Sequence, residues 1–169
     1  MSIAQSVLPE FDQEMAGTRK TLERVPDDKL DWRPHEKSMT MAGLATHIAN
    51  MVSWATITLT HDSFDFQPEG SEPYREEAIE SRAELLEKFD KALAATRAAL
   101  AETSDEAMMK NWSLLKGGNV VFAMPRVACL RGMIFNHIIH HRAQLCVYFR
   151  MNDVPVPPLY GPSADEGTM

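Results

Sequence analysis

The stretch PRVACLRGMIFNHIIHHRAQLCVYFRM, residues 125–151, decides the fold. Pro125 suits the first turn of a helix, where its missing N–H costs nothing. Leu130, Ile134, His137, His141, Leu145 and Tyr148 then recur every three or four residues, which is one face of an α-helix ending near Met151. Three of the chain's six histidines stand on or beside that apolar face. A buried imidazole without a partner is costly, so something must satisfy them.

Three further helical stripes precede this one. Ile3, Val7, Phe11, Met15, Thr18, Leu22 and Val25 predict an amphipathic helix over 3–25, stopped by Pro26. The charged segment PDDKLDWRPHEKSMT (26–40) reads as a loop holding His35, with Ser38 or Thr40 as the N-cap of the next helix. Leu44, Ile48, Met51, Ala55 and Leu59 predict that second helix over 41–60, and His47, Met51, Trp54 and Thr58 run beside its stripe. After the breaker-rich HDSFDFQPEGSEPY (61–74), Ile79, Leu86, Leu93 and Leu100 fall every seventh residue, with Ala83, Phe89 and Thr96 between them, and predict a third helix over 76–103. Gly117-Gly118-Asn119 lies between two short apolar runs and allows a small hairpin before the last helix. The expected fold class is all-α: a four-helix bundle with long connections, forming one domain over 1–169 whose residues 152–169 are a proline-rich tail.

Composition narrows the function classes. A chain of 169 residues, 44% of them apolar, can bury one good core. A net charge of -7 with no Lys/Arg cluster lacks the basic face that phosphate neutralisation needs, so nucleic acid is not an expected partner. No run of about 18 apolar residues and no basic-then-apolar N-terminus occurs, so neither a membrane nor secretion is expected, and the expected location is cytoplasmic. Cys129 and Cys146 fall roughly 25 Å apart on one predicted helix, out of disulfide reach, and read as reduced thiols. The sequon NWS (111–113) therefore carries no expected glycan. Met41, Met51, Met108, Met109, Met124 and Met133 read as pliable core fillers. The acidic runs EGSEPYREE (69–77) and SADE (163–166) read as solvated surface.

His137 and His141, four apart, differ by roughly 40° around a helix and stack one turn above the other, so both can reach one ion. His140 lies roughly 60° from His137 on the other side, and spacing alone leaves that pairing open. His47 is the only other histidine inside a predicted helix. Three neutral imidazoles from two helices would half-fill the coordination sphere of a divalent transition metal and leave room for water or substrate. The competing reading makes them hydrogen-bonded core or surface side chains. Arg142 is the nearest candidate for an anion contact, against a surface or interface salt bridge, and Trp54 and Tyr148 are either pocket walls or core.

LDWRPHEKSMTMAGLATHIANM (30–51) and RGMIFNHIIHHRAQLCVYFRMNDVPVPPLYGPSADE (131–166) resemble the DinB-like family of bacterial four-helix-bundle proteins. The most specific part is His137 followed by His140-His141-Arg142 and Gln144, running on into VPVPPLYGPSADE. The resemblance implies a metal triad at His47, His137 and His141, choosing His141 over His140. It also implies a homodimer and one divalent transition metal, zinc, nickel or iron. Relatives include metal-dependent transferases that work with low-molecular-weight bacterial thiols and an electrophilic small molecule. The middle of the chain, 62–124, carries no part of the resemblance. The expected function is accordingly a metal-dependent enzyme of the thiol S-transferase or hydrolase type. The alternative is a non-catalytic, stress-related metal-binding or interaction module with a structural metal, for which His61 or His140 would supply a closing fourth ligand.

Overall fold

The computed structural model describes residues 1–167. Helix α1 (Ile3–Leu22) opens on a capping box, in which the Ser2 hydroxyl accepts the Gln5 N–H and the Gln5 side chain accepts the Ser2 N–H. It ends short of Val25 because Arg24 and Val25 bond back to Thr21 and Leu22 in a tighter turn, which still buries Val25 completely. Helix α2 (Met41–Thr60) is capped by Thr40, whose hydroxyl accepts the Gly43 N–H.

Helix α3 (Arg82–Glu102) starts six residues later than the seven-residue spacing predicts. Ser81 is its cap, accepting from Glu84 N–H. The preceding residues are instead laid along α2: Ile79 N–H donates to Thr46 Oγ1 at 3.0 Å, and Glu76 reaches His47. The buried row on α3 is Leu85, Phe89, Ala92, Thr96 and Leu100. Leu86 and Leu93 are half-buried at its edge, and Ala83 is exposed.

The all-α expectation needs correction, because the mainly helical chain also carries a three-stranded sheet. Strands β2 (Asn111–Lys116) and β3 (Asn119–Pro125) form the antiparallel hairpin expected around Gly117-Gly118, and the short α4 (Asp105–Met109) precedes them. Strand β1 (Ser63–Asp65), in the segment read as loop, pairs parallel to β2 with Ser63 opposite Ser113. One carboxylate pins the turn: Asp65 accepts the N–H groups of Gln67, Gly117 and Gly118. Both glycines have positive φ, +58° and +74°, which a side chain would strain. Buried Arg126 ties this sheet region to the helices, donating to the carbonyls of Thr58, His61 and Ala107 and to Asp62.

Pro125 opens the last helical run as expected. It consists of α5 (Arg126–Cys129), a π-helical segment (Leu130–Phe135) and α6 (Asn136–Arg150), joined without leaving helical backbone angles. Helix α2 packs on α3 and α6, and α1 packs on the same two. Phe11, Met15, Leu44, Ile48, Leu85, Phe89, Leu145 and Phe149 fill the space between them. Met41, Met51 and Met108 belong to this core, but Met109 and Met133 are exposed, contrary to their reading as fillers. Cys129 and Cys146 are free. The proline-rich tail is tied down more firmly than its composition predicts: Pro157 is buried, Asp165 pairs with Arg150, and Tyr160 reaches α1. Residues 168 and 169 of that expected tail lie outside the described residues. Among the described residues no helix is long and apolar enough to cross a membrane.

Candidate metal centre

Helix α2 and the last helix approach each other side by side, and each brings histidine to the contact. His47 comes from the middle of α2, His137 and His141 from the first turns of α6. The four-residue spacing stacks the latter two, with ring centroids 4.6 Å apart, and the His47 ring lies 5.1 Å from His137 and 4.8 Å from His141. One nitrogen from each ring lies within 4.8 Å of the others. The three are positioned to hold a metal ion.

The outer nitrogens explain why the inner ones converge. His47 Nδ1 lies 2.9 Å from Glu76 Oε2, and His141 Nδ1 lies 2.7 Å from Gln144 Oε1. An acceptor at Nδ1 fixes the proton there and leaves the lone pair on Nε2, the tautomer that metal-ligating histidines adopt. His47 Nε2 and His137 Nε2 then face each other at 3.4 Å. Lone pairs on both nitrogens would repel unless a cation lay between them, whereas a proton on one would make this a hydrogen bond. Two nitrogens about 2.05 Å from a tetrahedral ion are themselves about 3.3 Å apart. The donor set therefore fits a divalent transition metal.

Burial first, then the neighbouring imidazoles, holds His137 below the ordinary histidine range; His141 is lowered by burial against a partly opposing Gln144 bond, with the other histidines adding to the effect. Both are thus kept neutral, the form that ligates. Burial alone would raise the Glu76 carboxyl, but its hydrogen bond and charge interaction with His47 bring it below the usual value.

Other residues singled out in the sequence fall elsewhere. His140 is exposed at the helix edge, its ring 5.0 Å from His141, and is outside the converging group. His61 sits at the end of α2, bonded to Thr60, roughly 20 Å along the helix from His47. His35 lies in an exposed loop. Arg142 makes neither the surface salt bridge nor the anion contact: it is 2% exposed and faces away from the histidines, onto Glu14. Tyr148 is core, edge-on to Trp32, its hydroxyl donating to the Met39 carbonyl.

The acidic run that holds Glu76 reads as solvated surface, and the bond to His47 overturns that reading for this residue. No local pattern marks Glu76, because it lies 29 positions from His47 in an extended segment. Gln144, three residues after His141, is the kind of i, i+3 partner that helix geometry can identify.

Beside the histidines opens an apolar cavity of about 210 Å³. The row His47, Met51, Trp54 and Thr58 forms one wall, the hairpin supplies Trp112, Leu114 and Phe122, and the last helix supplies Cys129, Met133, Ile134 and His137. The π-helical segment contributes Met133 and Ile134, in keeping with the tendency of such segments to occur at functional sites. Trp54 is thus a pocket wall, held edge-on to Phe64 and Tyr74. Burial raises the Cys129 thiol, which Thr58 contacts, so it is not an activated nucleophile.

No curated protein matches the chain. Solved structures that share its fold include two DinB-like proteins. A DinB-like protein from Bacillus subtilis is 18% identical with a TM-score of 0.68, over 92% of this chain and 96% of its own. A DinB-like protein from Bacillus cereus is 23% identical with a TM-score of 0.69, over 94% of this chain and 98% of its own. The model of the DinB superfamily matches residues 10–145, a span from α1 to the last helix that contains all three converging histidines, and the chain belongs to that superfamily.

Proposed function

We propose that the protein is a metal-dependent enzyme of the thiol S-transferase or hydrolase type, with His47, His137 and His141 as the ligands of one zinc, nickel or iron ion. The observation that carries this reading is the convergence of three imidazoles, two of them anchored at Nδ1 by Glu76 and Gln144, at the edge of an apolar cavity. Among the described residues three ligands group together and no fourth, which favours an open coordination position over a saturated structural site. When bound, the ion supplies Lewis acidity that brings the pKa of water to about 7 and deprotonates a thiol.

The chain's own residues do the rest. Glu76 and Gln144 orient the His47 and His141 rings, and Trp54, Trp112 and Phe122 keep bulk water from the reacting pair. In the transferase reading a carbon–sulfur bond forms as the bond from carbon to the leaving group breaks. The thiol proton passes to solvent and the leaving group departs with the bonding electrons. The two packed helix pairs are read as a four-helix bundle forming one cytoplasmic domain, and the working form as a homodimer.

The test is turnover of a haloarene with a panel of low-molecular-weight bacterial thiols, and of an activated ester with water. Metal-loaded wild type, metal-stripped wild type and His47→Ala are compared. A rate that requires both metal and His47 is expected. A rate no greater than the metal-stripped background, with metal bound, would make the protein a non-catalytic metal-binding module.

A further inference from the structure

One candidate ligand is held by a segment that is otherwise lightly attached. Residues 72–79 have no regular structure, and those from 72 to 78 are exposed apart from Glu76. Tyr74 N–H donates to the Phe66 carbonyl at 2.9 Å, but the N–H groups of Arg75, Glu76, Glu77 and Ala78 donate to no backbone carbonyl among the described residues. The segment is fixed at two consecutive residues of α2. Buried Thr46 accepts the Ile79 N–H while the Ile79 side chain enters the core, and His47 Nδ1 meets Glu76 Oε2 at 2.9 Å. Between Tyr74 and Ile79, the Glu76 carboxylate is thus the tether that ties the segment to the helices.

The strength of that tether depends on where the His47 ring carries its proton. Without a metal, the 3.4 Å approach of His47 Nε2 to His137 Nε2 is a hydrogen bond only if one of the two holds a proton. A proton on His47 Nε2 leaves an Nδ1 lone pair facing the Glu76 carboxylate, and the tether is lost. When His47 ligates through Nε2, its proton is confined to Nδ1 and the bond to the carboxylate is charge-assisted. We infer that residues 72–78 form a strap whose closure on α2 is coupled to loading of the histidine site, with Glu76 as its latch. The coupling is reciprocal. A partner of this kind raises metal affinity about 10–100-fold, so loading the site must favour the closed strap by the same factor. Closure also braces the cavity, because the Tyr74 ring lies edge-on to Trp54, one of its walls. The inference rests on the proposed ligand set and is independent of the proposed reaction.

Arg75 is exposed within the strap, so trypsin cleavage of the Arg75–Glu76 bond reports the open population when opening is fast relative to cleavage. Full-length wild type and Glu76→Gln are digested at pH 7.5, metal-stripped and with saturating zinc, and bound zinc is measured in the same samples. The ratio of the two rates is taken within each protein, so the changed residue at the cleaved bond cancels. The Lys37–Ser38 bond, in the exposed part of the 26–40 loop, is the internal reference. Zinc is expected to slow cleavage after Arg75 about 10–100-fold in wild type and to leave cleavage after Lys37 unchanged. In zinc-loaded Glu76→Gln the protection of the Arg75 bond should disappear. Equal slowing at both bonds would mean that zinc acts only by stabilising the whole fold. That result, protection retained in Glu76→Gln, or zinc-loaded wild type cleaved as fast as stripped, would overturn the inference and leave the ligand set standing. Wild type without stoichiometric zinc would overturn the ligand set and the coupling together. Zinc-dependent protection in a protein without turnover would overturn the enzymatic reading alone.

Discussion

His141 and Arg142 are neighbours on one helix, yet they head two polar clusters of opposite character. Arg142 points toward α1, where its guanidinium donates to the Glu14 carboxylate at 2.7 Å, the Glu14 carbonyl, the Thr18 hydroxyl and the Tyr160 hydroxyl. Tyr160 in turn donates to Glu14, and its ring lies under the guanidinium. Gly17 makes room for the arrangement, since a Cβ there would lie 3.0 Å from the guanidinium. Charge and hydrogen bonds are matched within the cluster, and it fastens the tail to α1 and α6. His141 points toward α2, where the His47 and His141 rings are satisfied on their outer side by Glu76 and Gln144 and the three rings converge on their inner side. A closed network holds the fold together; an open one beside a cavity leaves three imidazoles positioned to hold an ion. The difference separates the two clusters on adjacent residues more sharply than burial does, since His141 is itself only 9% exposed.

Cutting each cluster should therefore give different losses. Arg142→Met strands the Glu14 carboxylate, which is 8% exposed, and should lower folding stability by about 3–5 kcal/mol in a denaturant titration. His141→Ala, in metal-stripped protein, should cost less because it strands no charge. Equal losses from the two would erase the distinction. Glu76→Gln tests the outer side of the open cluster: the ring keeps a neighbour but loses the carboxylate, and metal affinity in a competitive chelator titration should fall about 10–100-fold with little change in fold stability. The smallest effect concerns pH. His137 and His141 are held below the ordinary value of 6.5, so on acidification the unfolded chain takes up protons before the folded one. Their contribution is present in full above pH 6.5 and is lost as pH falls through their lowered values. Metal-stripped protein should accordingly unfold more easily at pH 5 than at pH 7.5, and His137→Ala should flatten that slope.

The two clusters also differ in how legible they are in the sequence. The open one is half local: His137 and His141 announce themselves by helical spacing, and His47 follows from lying on the only other histidine-bearing helix. Spacing does not choose between His140 and His141; the resemblance to the DinB-like family does. Glu76 is hidden because a residue in an extended segment acquires its partner only when α3 starts after Ser81 and the chain before it is laid along α2. The closed cluster is wholly hidden, since Arg142 meets residues 128 and 18 positions away. Helical periodicity locates the long helices, with the largest error the six residues by which α3 starts late, and the glycine pair locates the hairpin. Strand β1 escapes because three residues pairing parallel across a separation of 50 leave no period to read.

The central claim is that His47, His137 and His141 together hold one ion. Untagged wild type, His47→Ala and His141→Ala, each stripped and then titrated with zinc at pH 7.5 against a competing chelator, test it most directly. The account predicts one ion per chain in wild type and no stoichiometric binding in either variant, with all three proteins folded. Stoichiometric zinc in both variants, or none in the wild type, would contradict it.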